Sequence, residues 1–234
     1  MTDPQQQSTI VTVRGLTRDY AQGALTVHAL AGVDIDVRRG EFTALMGPSG
    51  SGKTTLLNLI GGLDEPSSGS VIVDGRELAG LNRAQKSDLR LNRIGFVFQS
   101  YNLIPVLSAL ENTEFVLMLR GVPAAQRREK AMMTLQAVGL GGMENRRPSE
   151  MSGGQQQRVA VARAIAGEPA LVLADEPTAN LDSHTAQELI ALMEKLNDDL
   201  GLTFIFATHD PKVKDAAHRV VWMEDGRILR DEGK

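Results

Sequence analysis

The 234-residue sequence contains no cysteine and is poor in aromatic residues, which make up 4% of the chain. Without cysteine the chain can form neither disulfide bonds nor thiolate metal sites, so a reducing compartment is permitted. The chain also lacks an uncharged apolar run long enough to cross a bilayer, and its polar beginning, residues 1–7, lacks the apolar core of a secretory signal. We therefore expect a soluble cytoplasmic protein that contacts a membrane only through a partner.

The charge balance is slightly acidic, with a formal net charge of -4 at pH 7. A chain of this charge does not attract nucleic acid by bulk electrostatics, so we expect no nucleic-acid partner. The hydrophobic content of 42% is sufficient for a packed core and argues against intrinsic disorder. Composition therefore favours a folded domain, and the choice among functions depends on motifs.

A glycine-rich stretch lies between a short apolar, β-prone run and an apolar run of helical character. It reads Gly47-Pro48-Ser49-Gly50-Ser51-Gly52-Lys53-Thr54-Thr55. This is the phosphate-loop pattern G-x-x-x-x-G-K-[ST] in the strand–loop–helix context that the pattern requires. Glycines let successive backbone N–H groups point at phosphate oxygens, and the helix N-terminus adds partial positive charge. We expect Lys53 to reach the β- and γ-phosphates and Thr54 to coordinate Mg²⁺, so the chain is predicted to bind a nucleoside triphosphate.

Three other apolar, strand-like runs end in polar residues. The run 170–174 ends in Asp175, which is placed to position Mg²⁺, and Glu176, which is placed to polarise a water against the γ-phosphate. Gln99 ends the run 94–98, where an active-site role is favoured over that of an ordinary loop amide. His209 follows the run 203–208; a lone histidine is usually structural, but a neutral imidazole at this sheet edge could hydrogen-bond a phosphate oxygen.

The region between these strands is predicted to be helical, with helices over 109–119 and 124–138 and a third that opens at Ser152-Gly153-Gly154-Gln155. A Ser-Gly-Gly start is a poor helix interior but a good anion-binding N-terminus. Met132 and Met133, in the second helix, are expected to fill the hydrophobic core. Tyr20 lies between the first two of the antiparallel strands expected ahead of the phosphate loop, where a tyrosine usually covers a core edge.

Together these motifs resemble those of the ATP-binding subunits of ABC transporters, over essentially the whole chain. In chain order, Tyr20 matches the adenine-stacking aromatic residue, residues 47–54 the Walker A loop, Gln99 the Q-loop and residues 152–155 the signature motif. Residues 171–175 match the Walker B strand, Glu176 the catalytic carboxylate, residues 180–182 the D-loop and His209 the switch histidine. The adenine-stacking match replaces the core-edge interpretation of Tyr20. The signature departs from the family pattern in having Met151 where leucine is usual.

The resemblance implies an α/β fold of the P-loop NTPase (RecA-like) type. It would have a mostly parallel sheet core, an N-terminal antiparallel β subdomain and an inserted helical subdomain. Residues 9–100 and 168–234 would form the β subdomain and catalytic core, and residues 101–167 the helical subdomain. The catalytic residues would be Lys53, Gln99, Glu176 and His209, and the Mg²⁺ ligands Thr54, Gln99 and Asp175.

The family also implies that ATP is bound between two copies packed head to tail. Each ATP would contact Tyr20 and residues 47–55 of one copy and would be covered by Ser152, Gly153, Gly154 and Gln155 of the other. Asp182 would tie each site to its partner. Hydrolysis of ATP to ADP and phosphate would be coupled to integral membrane permease subunits, which places the chain on the cytoplasmic face of the inner membrane.

Shorter motifs indicate a branch of the family. Residues 61–64, 67–69, 98–105 and 109–112 are similar to the lipoprotein-release and macrolide-efflux (LolD-like and MacB-like) branch. In that branch dimer closure is transmitted to membrane subunits with large extracytoplasmic domains. Ala179 departs from the glycine common there. Two alternatives remain: an FtsE-like regulator of cell-wall cleavage or division, and a soluble non-transport ABC ATPase, which would usually carry coiled coils or a second cassette. The cargo is not predicted.

Overall fold

Ten strands form two sheets in this computed structural model, which describes residues 8–23 and 25–233. In chain order they are β1 (Thr9–Gln22), β2 (Leu25–Arg38), β3 (Phe42–Met46), β4 (Ser68–Val73), β5 (Arg76–Glu77), β6 (Ile94–Phe98), β7 (Leu171–Asp175), β8 (Thr203–Thr208), β9 (Arg219–Glu224) and β10 (Arg227–Gly233). One sheet is antiparallel with the order β2-β1-β4-β5, and the other has the order β10-β9-β3-β8-β7-β6. The polar segment 1–7 considered above lies outside the described residues.

The six-stranded sheet is parallel from β9 to β6, and only the edge strand β10 runs antiparallel to its neighbour. Every residue of β3 and β8 is buried, as expected for parallel strands covered on both faces. Successive side chains point to opposite faces, so Phe204 and Phe206 join Phe42 in one hydrophobic cluster while Ile205 and Ala207 join the other. The predicted α/β fold, with a mostly parallel core and an N-terminal antiparallel sheet, is confirmed.

Seven α-helices are present in the described part of the chain. They are α1 (Lys53–Ile60), α2 (Arg83–Arg93), α3 (Ala109–Leu119), α4 (Ala124–Ala137), α5 (Gly153–Ile165), α6 (Ser183–Leu200) and α7 (Pro211–Ala216). Helices α3, α4 and α5 pack on one another, as the predicted helical region requires. That residues 101–167 form a subdomain of their own stays a prediction. No helix among the described residues is both long enough and apolar enough to cross a bilayer.

The expectation that Met132 and Met133 fill the core is wrong. Their side chains are 45% and 64% exposed. Helix α4 instead packs through Ala131 and Leu135, which are fully buried. Residues four apart lie on one helix face, whereas the next two positions are rotated away by about 100° and 200°. The methionine pair therefore lies on the solvent side of α4.

The position of Tyr20 and the presence of helix α2 also differ from the sequence analysis. Tyr20 lies within β1 rather than between two strands. Helix α2, which the sequence analysis does not predict, is polar and has only Leu89 buried, so its apolar periodicity is weak. A sequence signal does exist, because Asn82 and Gln85 form a capping box at its start.

A cluster of charges joins the N-terminal sheet to α2. Asp74 follows β4 with φ of 50° and has an 11% exposed side chain. Its carboxylate accepts hydrogen bonds from the guanidinium groups of Arg39 and Arg93. The bond from Arg93 is the main cause that lowers the pKa of Asp74, and Arg39 lowers it further, while partial burial opposes both.

We expect Asp74→Asn to lower the free energy of unfolding by about 1–3 kcal/mol at neutral pH, because asparagine keeps the shape and tolerates the left-handed backbone but loses the charge. Since the pKa of Asp74 is lower in the folded state than in the unfolded state, its contribution is complete above the unfolded pKa. It is lost as pH falls through the folded pKa. The difference between the two proteins, measured by urea denaturation, should therefore shrink in acid.

The matched control is Asp88→Asn. Asp88 also contacts an arginine, Arg76, but both side chains are at least half exposed, and such pairs contribute little. Equal stability losses from the two substitutions at neutral pH would show that the Asp74 cluster does not stabilise the fold.

Candidate functional site

The phosphate loop joins β3 to α1 at the carboxyl edge of the parallel strands, and two of its glycines are required by conformation and by space. Gly47 has φ of 153°, and a Cβ there would overlap the carbonyl oxygen of Met223. Gly52 has φ of 98°, and a Cβ there would lie 2.5 Å from the carbonyl oxygen of Ala29. Gly52 is also the N-cap of α1 and provides no side-chain cap, and the first turn carries no acidic residue. The start of α1 is therefore suited to an anion.

Lys53, the first residue of α1, is 6% exposed. Its Nζ donates to the carbonyl oxygens of Gly47 and Pro48, both at 2.8 Å, and to Oγ of Ser51 at 3.4 Å. Burial lowers the pKa of this ammonium group, and the carboxylates of Glu176 and Asp175 act in the opposite direction. The positive charge is thus held inside the loop by carbonyl groups whose place phosphate oxygens could take.

Thr54 and Asp175 come from α1 and β7 and meet beside the loop, where Thr54 Oγ1 donates to Asp175 Oδ1 at 2.9 Å. Burial is the main cause that raises the pKa of Asp175; the bond from Thr54 opposes this rise. A hydroxyl and a carboxylate are oxygen ligands of the kind that Mg²⁺ takes together with substrate phosphates. Among the described residues, no group of three or more His, Cys, Asp or Glu side chains could hold a metal. The oxygen ligands of Thr54 and Asp175 are of the kind that fits an ion shared with a nucleotide.

Glu176 follows β7 with φ of 45°, a conformation that is uncommon for residues other than glycine. Its Oε1 lies 2.8 Å from Nδ1 of His209, and its Oε2 accepts from Oγ1 of Thr208 at 3.0 Å. Because a carboxylate only accepts, Nδ1 of His209 carries the proton in this contact. A neutral His209 in this tautomer has no proton on Nε2, so donating to a phosphate oxygen would require protonation or a change of partner. Thr208, the end of β8, is a contact that the sequence analysis does not predict.

A cleft of about 540 Å³ brings most of the predicted residues together. Its described lining is Val27, His28, Ala29, Ser49, Gly50, Ser51, Gly52, Lys53, Thr54, Thr55, Gln99, Glu176, Ala179 and His209. The three residues from β2 (Val27, His28 and Ala29) are not predicted from the sequence. The sequence carries no signal for them beyond the strand pair that precedes the loop. His28 is oriented there by Asp19, whose Oδ1 lies 2.7 Å from its Nδ1.

Tyr20 is not among the described residues that line this cleft. Its hydroxyl donates to Oδ2 of Asp64 at 2.6 Å, and the guanidinium carbon of Arg18 lies 4.5 Å from its ring centroid. Its cross-strand partner is Val27, which does line the cleft. Tyr20 thus lies beside the cleft, and its stacking on adenine stays a prediction.

The predicted signature, Ser152–Gln155, also has no residue among the described lining of the cleft. Ser152 caps α5: its Oγ accepts from the N–H of Gln155 at 3.3 Å, and Oε1 of Gln155 accepts from the N–H of Ser152 at 3.0 Å. At Gly154 a Cβ would overlap the side chain of Thr185, and at Gly153 it would lie 2.8 Å from the Tyr101 hydroxyl. Within one chain this segment forms a tightly packed helix start away from the phosphate loop.

Asp182 has a comparable local role. Its Oδ1 accepts from the backbone N–H groups of His184 and Thr185 at 3.0 Å each, so it is the N-cap of α6. These bonds lower the pKa of Asp182, with Thr185 as the largest cause. The predicted contact of Asp182 with a second copy stays a prediction.

Comparison with known proteins agrees with this geometry. The ABC transporter family profile matches residues 30–179. The chain is 50% identical to the lipoprotein-releasing system ATP-binding protein LolD of Anaeromyxobacter dehalogenans, over 94% of this chain and 93% of that protein. It is 46% identical to the macrolide export ATP-binding/permease protein MacB 1/2 of Paracoccus denitrificans over 95% of this chain, but it spans only 33% of that relative's length.

A solved structure is similar over nearly the whole fold. It is the dimeric ATP-binding cassette MJ0796 of Methanocaldococcus jannaschii in a post-hydrolysis state bound to ADP and Pi. The TM-score is 0.89 at 41% identity, covering 96% of this chain and 98% of that one. The family match, the fold and the phosphate-loop cleft lead to one conclusion: the chain belongs to the ABC transporter family and is an ATP-binding ATPase.

Proposed function

We propose that this chain is the energy-supplying subunit of an ABC transporter, and that it works as a head-to-tail pair of copies acting on a membrane permease. The observation that carries the proposal is a separation within one chain. The phosphate loop, Glu176 and His209 line one cleft, whereas Ser152 caps a helix that does not reach it. A second copy would place its own Ser152 helix start on the open side of the cleft. The dimeric state of the MJ0796 structure supports this arrangement.

The residues of the cleft would divide the reaction among them. The phosphate loop and Lys53 would bind the β- and γ-phosphates. Glu176 would act as general base toward the attacking water, since its carboxylate is fixed at both oxygens by Thr208 and His209. Thr54, Asp175 and Gln99 would hold Mg²⁺, which would neutralise charge on the phosphate oxygens.

The permease partner is proposed from the two relatives. LolD is named as part of a lipoprotein-releasing system, and MacB 1/2 as an ATP-binding and permease protein of which this chain matches one third. The stretch that follows Gln99 carries Val106, whose side chain is 72% exposed. We place the permease contact on this stretch, because it carries an exposed apolar side chain and connects the cleft residue Gln99 to α3. A permease with extracytoplasmic domains, and a location on the cytoplasmic face of the inner membrane, belong to the same proposal.

Ser152→Asp tests the two-copy site without removing the helix cap, because aspartate caps a helix as well as serine does. The new carboxylate would face the γ-phosphate held by the other copy, and such like-charge contacts cost several kcal/mol. We expect ATP-dependent dimerisation, measured by analytical ultracentrifugation with a non-hydrolysable ATP analogue, to weaken by about 10²-fold or more. Binding of the analogue to the isolated chain should be retained.

Ser108→Asp is the matched control, since Ser108 caps α3 in the same type of capping box, with Glu111 as its partner. It should leave dimerisation unchanged. Normal dimerisation of the Ser152→Asp variant would exclude the proposed two-copy site.

A further inference from the structure

The segment around Gln99, residues 98–102, connects β6 to the loop before α3, and we call it the Gln99 segment. Gln99 lines the cleft. Its carbonyl oxygen accepts a hydrogen bond from Nδ2 of Asn180 at 2.9 Å. Asn180 is exposed and lies four positions after Glu176, on the connection between β7 and α6. One side chain therefore joins the backbone of Gln99 to the connection that carries the catalytic carboxylate.

The far end of the Gln99 segment has an unusual backbone. Tyr101 and Asn102 have φ values of 58° and 51°, in the left-handed region that favours glycine. The guanidinium group of Arg163, on α5, donates to both of their carbonyl oxygens, at 3.0 Å in the case of Tyr101. Burial lowers the pKa of Arg163. Residues in sparsely populated conformations persist where the surroundings hold them, and here α5 provides that support.

The near end of the segment is held by Gln157, which is fully buried on α5. Its Nε2 donates to the carbonyl oxygens of Phe98, at 3.3 Å, and Pro177, at 2.8 Å. Both partners are acceptors, so the orientation of this amide is determined by its contacts. Its Oε1 has no partner among the described residues. Both side-chain hydrogen bonds of Gln157 thus link the segment to Pro177, the residue after Glu176.

Gln157 and Arg163 anchor the two ends of the Gln99 segment, and between them only Gln99 itself lines the cleft. We propose that Asn180 is a positioning residue for Gln99: its hydrogen bond fixes the backbone of Gln99, whose side chain would take part with Thr54 and Asp175 in holding Mg²⁺. This inference rests on the role given to Gln99 under the proposed function. It assigns to Asn180 an effect on metal binding that a purely local contact would not have.

The test measures metal binding directly, with Mn²⁺ as the probe. Mn²⁺ is titrated by electron paramagnetic resonance into the full chain with a bound non-hydrolysable ATP analogue. We expect Asn180→Ala to weaken Mn²⁺ binding about three- to tenfold, the effect of one lost hydrogen bond. Binding of the analogue without metal and the thermal unfolding midpoint should stay as in the wild type, because Asn180 is exposed. Asn92→Ala, which removes an exposed contact to Asp88 on α2, is the matched control and should change none of these.

Gln99→Ala separates this inference from the assignment beneath it. A loss of Mn²⁺ affinity in both variants supports the positioning role of Asn180. A loss with Gln99→Ala and none with Asn180→Ala would overturn the inference and leave Gln99 as a metal ligand. No loss with Gln99→Ala would remove Gln99 from the metal site, and the role of Asn180 would fall with it.

Discussion

Glu176→Gln should lower the rate of ATP hydrolysis by about 10²- to 10⁴-fold, which is the usual contribution of a positioned general base. The expectation follows from the two contacts of the carboxylate, to His209 at 2.8 Å and to Thr208 at 3.0 Å. Glutamine can keep both contacts, since its amide oxygen accepts from Thr208 and its nitrogen donates to the other tautomer of His209. The site should keep its shape and lose only the group that accepts the proton of the attacking water.

Phosphate release measures the effect on turnover, and ultracentrifugation measures the fate of the bound ATP. Because binding is retained and hydrolysis is blocked, an ATP-trapped dimer should accumulate in the variant and not in the wild type. Glu188→Gln is a suitable control, since Glu188 is a half-exposed residue of α6 that contacts Arg158. Unchanged turnover in Glu176→Gln would remove Glu176 from the proposed role.

Lys53→Ala should act one step earlier, on nucleotide binding. The ammonium group lies inside the phosphate loop, 2.8 Å from two carbonyl oxygens, and no other lysine or arginine is among the described residues that line the cleft. A hydrogen bond to a charged group contributes about 1.5–3 kcal/mol, and Lys53 is expected to make such contacts to two phosphates. We therefore expect the affinity for ATP to fall by about 10²-fold or more.

Isothermal titration with ATP measures this loss directly. The control is Lys130→Ala, because Lys130 is a half-exposed lysine of α4 paired with Glu168 on the surface. Thermal unfolding should be recorded for both variants, since Lys53 also contributes hydrogen bonds to the loop. Full-strength ATP binding by Lys53→Ala would contradict the proposed use of the loop.

The sequence predicts the carboxyl edge of the sheet well because the chemistry there follows directly from strand direction. Parallel strands end at the same edge, so a polar residue that closes each apolar run must lie near the others. That argument brings Glu176, His209 and Gln99 to the cleft, and the structure does place all three in its lining. The glycine-rich loop is predictable for the same reason, since its residues are consecutive.

Features that depend on packing between distant segments are less accessible to sequence reasoning. Met132 looks like a core residue by composition, but the phase of α4 is set by Ala131 and Leu135 and turns it outward. The lining from β2, including His28, depends on how the antiparallel sheet docks beside the loop. The side-chain bond from Thr208 to Glu176 joins two residues that are 32 positions apart in the chain.

The internal bonds of Lys53 have a consequence for how the site meets its substrate. A flexible glycine loop would have to be ordered by the entering nucleotide, and that ordering would subtract from the affinity. Here the ammonium group of Lys53 donates hydrogen bonds to the carbonyl oxygens of Gly47 and Pro48. These bonds hold the loop in the curved conformation that phosphate binding needs, so the loop is preorganised. When a triphosphate binds, its phosphate oxygens would replace these carbonyl oxygens as acceptors for the Lys53 ammonium group, with little rearrangement of the backbone.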